Sequence, residues 1–225
     1  MGQVPYLLVS SAEMAREVTM THDLVFASRP SLLGMRKFFY GCRDVGFSPY
    51  GEFWKRVRKI SVLELLGANM VRSFQLIREE EVSSMIDKIG QSCSMATPVN
   101  LGMLLLTLTN NVICRAALGK RYEGGFTKLT REIVTLLGAF CVGDYYPWLR
   151  WVDILTGVDA KMESTAKEMN SFLDQVIEDH LVRKRDDNGS SHKDFVDILL
   201  QVQKDCVVDV PLTRDDIKAI ALVLS

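Results

Sequence analysis

Histidine is scarce in these 225 residues: His22, His180 and His192 are all there is. They lie too far apart for an H-E-x-x-H zinc helix. An excess of one charge is missing too, since 27 basic and 28 acidic side chains leave a net −1. That balance argues against a general nucleic-acid binder, which carries a basic excess. The five cysteines (Cys42, Cys93, Cys114, Cys141, Cys206) form no C-x-x-C pair and are odd in number. Neither a zinc site nor a disulfide framework is expected, and a reducing compartment is implied. There is no Walker loop, no G-x-G-x-x-G and no G-x-S-x-G, so the phosphate-cradling and serine-hydrolase signatures are absent. The longest apolar stretch, around Leu101–Leu108, falls short of the roughly 20 residues of a membrane span. The start, MGQVPYLLVSSAE, has neither a basic n-region nor a long apolar core, so no signal peptide is expected. Tyr6 stands where a myristoylation signal needs Ser or Thr. The sequon at Asn188-Gly189-Ser190 matters only in a secretory lumen.

What is present reads as a helical protein. Hydrophobic residues make up 48% and charged residues 24%, ample for a packed core. Tyr6–Val9 predicts a short strand, and Ser10-x-x-Glu13 a capping box opening a helix past Met14 and Val18. From Phe26 to Gly51 glycine, proline and serine recur without a helical period, which marks a long binding loop or lid. Helices are then predicted over Phe53–Leu63, Val71–Ile89, Leu101–Leu118, Leu129–Leu137 and Phe195–Val202, and from Thr213-x-x-Asp216 onward. The clearest stripe runs through Met162, Ala166, Met169, Leu173, Val176, Ile177, His180 and Leu181. Arg183–Ser191 reads as a solvated linker. The ten methionines read as core filler, Glu79-Glu80-Glu81 as a solvated face, and His180 as a satisfied boundary residue. The fold class is mainly α with a small N-terminal β element. The helix running into Ser225 shows no cap, so the chain is expected to be cut within an element.

Chemistry concentrates in Leu32–Ile60. Seven basic residues and two acidic ones give this stretch a surplus of positive charge within a nearly neutral chain. Phe38, Phe39, Tyr40, Phe47, Tyr50, Phe53 and Trp54 are interleaved with them. Trp54 and Arg58, four apart, share one helix face. An indole N–H beside a guanidinium is a donor array for a carboxylate or phosphate. Spacing alone equally allows an amphipathic helix with a buried Trp and a solvated Arg.

The strings FASRP (Phe26–Pro30) and FSPYGEFWKRVRKI (Phe47–Ile60) resemble the helix-C region of plant microsomal cytochrome P-450 monooxygenases, close to family 71. VPYLLVSSAEMAREV, ELLGANMVRSFQLIREEEV, PVNLGMLLLTLTNNVICRAALGKRY, GDYYPWLRWVDILTGVDAKM and LTRDDIKAI follow the family's order. The resemblance implies one partial cytochrome P-450 domain over 1–225, from helix B to the start of helix I. In it Trp54 and Arg58 would donate to a propionate of haem b. Arg36–Tyr50 would cover the distal pocket, with Val45 and Phe47 touching substrate. Leu136–Tyr146, Leu137 included, would roof that pocket. The basic residues of the Phe53–Leu63 helix would face NADPH-cytochrome P-450 reductase.

The resemblance also implies what to look for and not find. The family's haem-ligating Cys sits in F-x-x-G-x-R-x-C-x-G, a context none of the five cysteines has. A-G-x-D-T would follow Ser225, and Glu13-Met14-Ala15-Arg16 precedes Trp54, on the wrong side for the family's E-x-x-R. The chain is therefore expected to be the front half of the enzyme, without the anchor or the axial ligand. No catalytic residue and no metal ligand are assigned within it. The whole enzyme would sit on the cytosolic face of the endoplasmic reticulum and use dioxygen to hydroxylate a small lipophilic metabolite, whereas this stretch alone would be cytosolic and inactive. The alternative is a non-catalytic helical protein that binds a hydrophobic ligand or partner.

Overall fold

A computed structural model describes residues 1–122, 125–186, 193–205 and 212–224. Cys206, His192, the sequon and most of the expected linker lie outside them. The described residues are almost wholly helical. Short helices come first: α1 (Ala12–Arg16), which runs into a π-helical turn at Glu17–Thr21, α2 (Asp23–Phe26) and α3 (Leu33–Phe38). The middle holds α4 (Glu52–Ile60), extended by a π-helical turn at Ser61–Leu65, then α5 (Ala68–Ser73), α6 (Gln75–Ser94), α7 (Leu101–Leu118) and α8 (Gly125–Leu137). After α9 (Val142–Tyr145), a 3-10 turn at Pro147–Leu149 and α10 (Arg150–Leu155) come α11 (Val158–Asp186), α12 (Phe195–Lys204) and α13 (Arg214–Leu224).

The 29-residue α11 is the axis. Met162, Met169, Leu173, Val176 and Ile177 are buried along the predicted stripe, and α3, α8, α10, α12 and α13 all pack against it. A second layer forms where α7 meets α6, α12 and α13. Met162 and Met169 are core, but Met14, Met20, Met95 and Met103 are exposed, so methionine is not uniformly filler here.

The N-terminal β element is absent: the described residues contain no strand. Leu7 and Leu8 are exposed, and the segment meets the body at Tyr145, whose carbonyl accepts from Gln3 N–H at 2.8 Å and whose ring stacks on Tyr6. Apolar alternation makes a strand only where a neighbouring edge pairs with it, and none does so here. The first helix is capped one residue later than expected, with Ser11 Oγ accepting from Met14 N–H at 3.2 Å. The stretch expected to be aperiodic contains α3, whose N-terminal Leu33 N–H is capped from afar by the Asp144 carboxylate at 3.0 Å. Long-range capping of this kind leaves no local signature. α7 is long and apolar enough to cross a membrane by length and composition, contrary to the expectation from Leu101–Leu108. In this fold it packs on three helices instead.

The acidic triplet is not a uniformly solvated face. Glu81 is buried, and its carboxylate accepts from Arg115 Nη1 (2.8 Å), Arg121 Nε (2.7 Å) and Asn111 Nδ2 (3.1 Å). Glu80 takes Arg115 Nη2 at 2.6 Å. This cluster joins α6 to α7 and to the segment entering α8. Burial alone would push the Glu81 carboxyl up, but the hydrogen bonds from Arg121, Arg115 and Asn111 outweigh it and hold it below the ordinary glutamate value.

His180 is fully buried rather than a boundary residue. Nδ1 lies 2.6 Å from the Val176 carbonyl and Nε2 2.8 Å from Asp194 Oδ2. With an oxygen acceptor at each ring nitrogen, both must donate, so the imidazolium form fits the site. Burial opposes that charge, but the Asp194 hydrogen bond and charge, helped by Val176, raise the His180 pKa above its usual 6.5. Asp194 also caps α12, its Oδ1 accepting from Asp197 N–H at 2.9 Å. One carboxylate thus ties α11 to the start of α12. His180, Asp194 and Asp197 are close enough to share a cation, but both His180 nitrogens are already engaged.

Two predictions follow from these clusters. Glu81→Gln lowers unfolding stability by about 2 kcal/mol at neutral pH. The wild type's advantage is present above the unfolded glutamate pKa and lost as pH falls through the lowered folded value, and urea titrations at several pH values read it. For His180 the sign is opposite. Its contribution is complete below about pH 6.5 and is lost as pH rises through the raised folded value; matching pH slopes in wild type and His180→Gln contradict the assignment.

Candidate functional site

The site is built by α4 and the loop before it. That loop turns through three consecutive left-handed residues, Tyr40 (φ 51°), Gly41 (φ 75°) and Cys42 (φ 63°). Only glycine adopts this region without cost, so Tyr40 and Cys42 need support from their surroundings. Tyr40 Oη donates to Asn170 Oδ1 on α11 (2.9 Å), and its ring lies beneath the Lys218 ammonium at 5.6 Å. Lys218 is itself buried, bonded to Asn170 Oδ1 (2.8 Å) and paired with Asp174 (2.7 Å). Arg43 pairs with Asp216 on α13, adding a bond from Nη2 at 3.1 Å. Asp216 closes the predicted Thr213-x-x-Asp216 box by accepting from Thr213 N–H at 2.8 Å. Two helices, α11 and α13, therefore hold the loop at two points, Tyr40 and Arg43.

Past these anchors Asp44 is fully buried, and its Oδ1 accepts from the Gly46 and Phe47 amides at 2.6 and 2.8 Å. Burial pushes its pKa up against those amides. A Cβ at Gly46 would meet Val223 Cγ2 at 3.1 Å, so glycine lets the loop close onto the end of α13. Phe47 packs on Phe39 with ring centroids 4.7 Å apart.

Val57 and Ile60 form the buried face of α4, while Lys55, Arg58 and Lys59 face outward. Trp54 is half-buried, and its Nε1–H donates to the Val45 carbonyl at 3.0 Å. The Arg58 guanidinium lies 5.1 Å from the Trp54 ring and that of Arg29 5.4 Å from it, both within cation–π range. Arg29 Nη1 also donates to the Ala27 carbonyl at 2.6 Å. Among the described residues Arg58 has no hydrogen bond or ion pair. One indole thus gathers two cations, and one of them is free to meet an anion.

Trp54 and Arg58 are adjacent, as their spacing requires, but the indole N–H is engaged by the loop rather than offered outward. Val45 and Phe47 lie in the same loop as that bond. Leu137 belongs to a different contact set, its Cδ2 reaching 3.6 Å from where a Gly34 Cβ would stand, beside Met162. Arg29 carried no assignment in the sequence, although it lies within FASRP. Lys218 and the pairing of Arg43 with Asp216 could not be found, because the partners lie far apart in the chain; Asp44, whose partners are the nearby Gly46 and Phe47 amides, carried no assignment. Cys42, Cys114 and Cys141 are buried and Cys93 is exposed. Burial pushes Cys114 and Cys141 up to about 11 and raises Cys42 too, so these three thiols stay protonated at neutral pH.

The whole chain, residues 1–225, matches the cytochrome P450 family. It is 50% identical to cytochrome P450 71A1 of Persea americana, over 99% of this chain and 46% of that protein. Identity to cytochrome P450 71A2 of Solanum melongena is 46%, over 98% of this chain and 45% of the relative. A zebra fish cytochrome P450 solved with progesterone superposes with a TM-score of 0.75 at 20% identity, over 99% of this chain and 52% of that one. The chain spans about half the length of the curated relatives it matches. A helical scaffold of this shape, with the sequence kinship just given, makes this chain a member of the cytochrome P450 family, of the plant 71-like kind.

Proposed function

We propose that this chain forms part of a haem-dependent monooxygenase that hydroxylates a small lipophilic metabolite, and that Trp54 and Arg58 hold a haem propionate. The observation that carries this reading is Arg58: a guanidinium ordered against an indole, without any carboxylate of its own among the described residues. The donor set fits the group. Arg58 supplies charge-assisted N–H donors to a carboxylate, and Arg29 adds a second cation at the same ring. Trp54 Nε1–H would join them by leaving the Val45 carbonyl, which couples the anion to the backbone at Val45. Haem held there would supply the dioxygen activation that side chains cannot.

This chain's residues would orient the group and exclude water. Val45 and Phe47 would line the substrate side of the loop, held there by Arg43, Asp44 and the Phe39 ring. Leu137 would contribute from α8, on the far side of α3. The outward cations of α4, Lys55 and Lys59, would face the reductase that delivers electrons. Membrane association at the endoplasmic reticulum, on its cytosolic side, is the setting that the family suggests. The thiolate would come from a segment other than Cys42, Cys114 or Cys141, whose raised pKa values oppose ionisation.

In a full-length form, Arg58→Ala is expected to lower haem retention after gel filtration by about tenfold, whereas Lys55→Ala leaves it unchanged. Equal retention in both variants removes the propionate assignment. Reduced 225-residue chain plus haem under carbon monoxide is expected to show no thiolate-type Soret band. A clear band of that type overturns the exclusion of these cysteines.

A further inference from the structure

A groove of about 460 Å³ opens between α6, α7 and α8, well apart in sequence from Trp54 and Arg58. Its wall carries four cations: Lys88 from α6, Arg121 from the segment entering α8, and Lys128 and Arg131 from α8. No aspartate or glutamate lines it. Arg121 is bound to the buried Glu81, which fixes its guanidinium while leaving the side chain 44% exposed. Among the described residues the Lys88 and Arg131 side chains have no hydrogen bond or ion pair, and Lys128 meets only the charge of Glu132 one turn on. Glu132, the acid nearest along α8, is turned to Lys161 on α11. Arg121 has its counter-charge in Glu81, but Lys88, Lys128 and Arg131 converge on a concavity whose lining holds no acid; like charges so placed repel one another, and a bound anion relieves that repulsion.

The remaining lining is polar and donor-rich. Asn110 Nδ2 donates to Thr127 Oγ1 at 3.0 Å, which fixes the α7–α8 side of the groove. The Tyr122 ring lines the groove and is held edge-on to Phe172 at 4.8 Å. The adjoining cavity, which shares Arg121, Tyr122 and Lys128, also carries Glu132 and Glu168, so the uncompensated positive charge is confined to the first.

We propose that this groove binds a phosphate-bearing ligand, with Lys88, Arg121, Lys128 and Arg131 meeting its oxygens. Phosphate suits the site better than a carboxylate, because it presents at least three acceptor oxygens and carries more charge to cations that approach from three elements. A free metabolite or a lipid headgroup could carry that phosphate. The site does not depend on the haem reading, and no residue is shared between them.

Calorimetric titration of the 225-residue chain with inorganic pyrophosphate tests the proposal. Saturable binding is expected, weakened about tenfold by the double variant Lys128→Gln/Arg131→Gln and unchanged by Lys204→Gln on α12. Far-UV circular dichroism checks that each variant stays helical. Displacement of pyrophosphate by phosphatidic acid vesicles assigns the phosphate to a lipid, and displacement by glycerol 3-phosphate alone assigns it to a free metabolite; either supports the site. Absence of saturable binding, or equal affinity in the double variant, overturns it.

Discussion

Lys218 is the hinge of this structure. An ammonium that is 4% exposed is tolerable only when its charge and donors are met. Asp174, the Asn170 amide oxygen and the Tyr40 ring meet them from α11 and from the loop. Tyr40 in turn occupies a left-handed backbone position that its side chain does not favour. Satisfying the lysine and holding the strained turn are therefore the same event. Everything after the turn inherits its place from there: the buried Asp44, the Val45 carbonyl that receives Trp54, and the start of α4.

The route from this anchor to the chemistry is short. Arg43 and Asp216 add a second tie between loop and α13, and the Trp54–Val45 bond carries the loop's position into α4. Arg58 then stands against the indole, its guanidinium unclaimed among the described residues. A scaffold that puts a free cation beside an aromatic donor is prepared for an anion. Kinship with plant cytochromes P450, across about half the length of the relatives, is what supports the proposal that this anion is a haem propionate.

What the sequence made legible was periodic. The limits of α7 were read as they stand, and the stripe from Met162 to Leu181 lies along α11, because a buried helix repeats its apolar residues at 3.6-residue intervals. The Thr213–Asp216 box was equally readable, since both partners are local. Distant partners left no trace. Asp144 capping α3 across 111 residues, Glu81 buried under two arginines from α7 and beyond, and Lys218 under Tyr40 are all contacts that no window of sequence contains. The strand expected at Tyr6–Val9 failed for the converse reason, a local pattern without a distant edge to pair with. Within the site, Trp54 and Arg58 were visible as a spaced pair, but Arg29 was not, and the engagement of the indole N–H by Val45 was not.

Hydrogen exchange in Lys218→Met, a substitution that keeps length and removes charge, tests the anchoring most directly. If the buried ammonium holds the loop, amides of residues 41–47 exchange at least about tenfold faster than in the wild type, while those of α6 and α7 are unchanged. Unaltered protection across 41–47 would contradict the account.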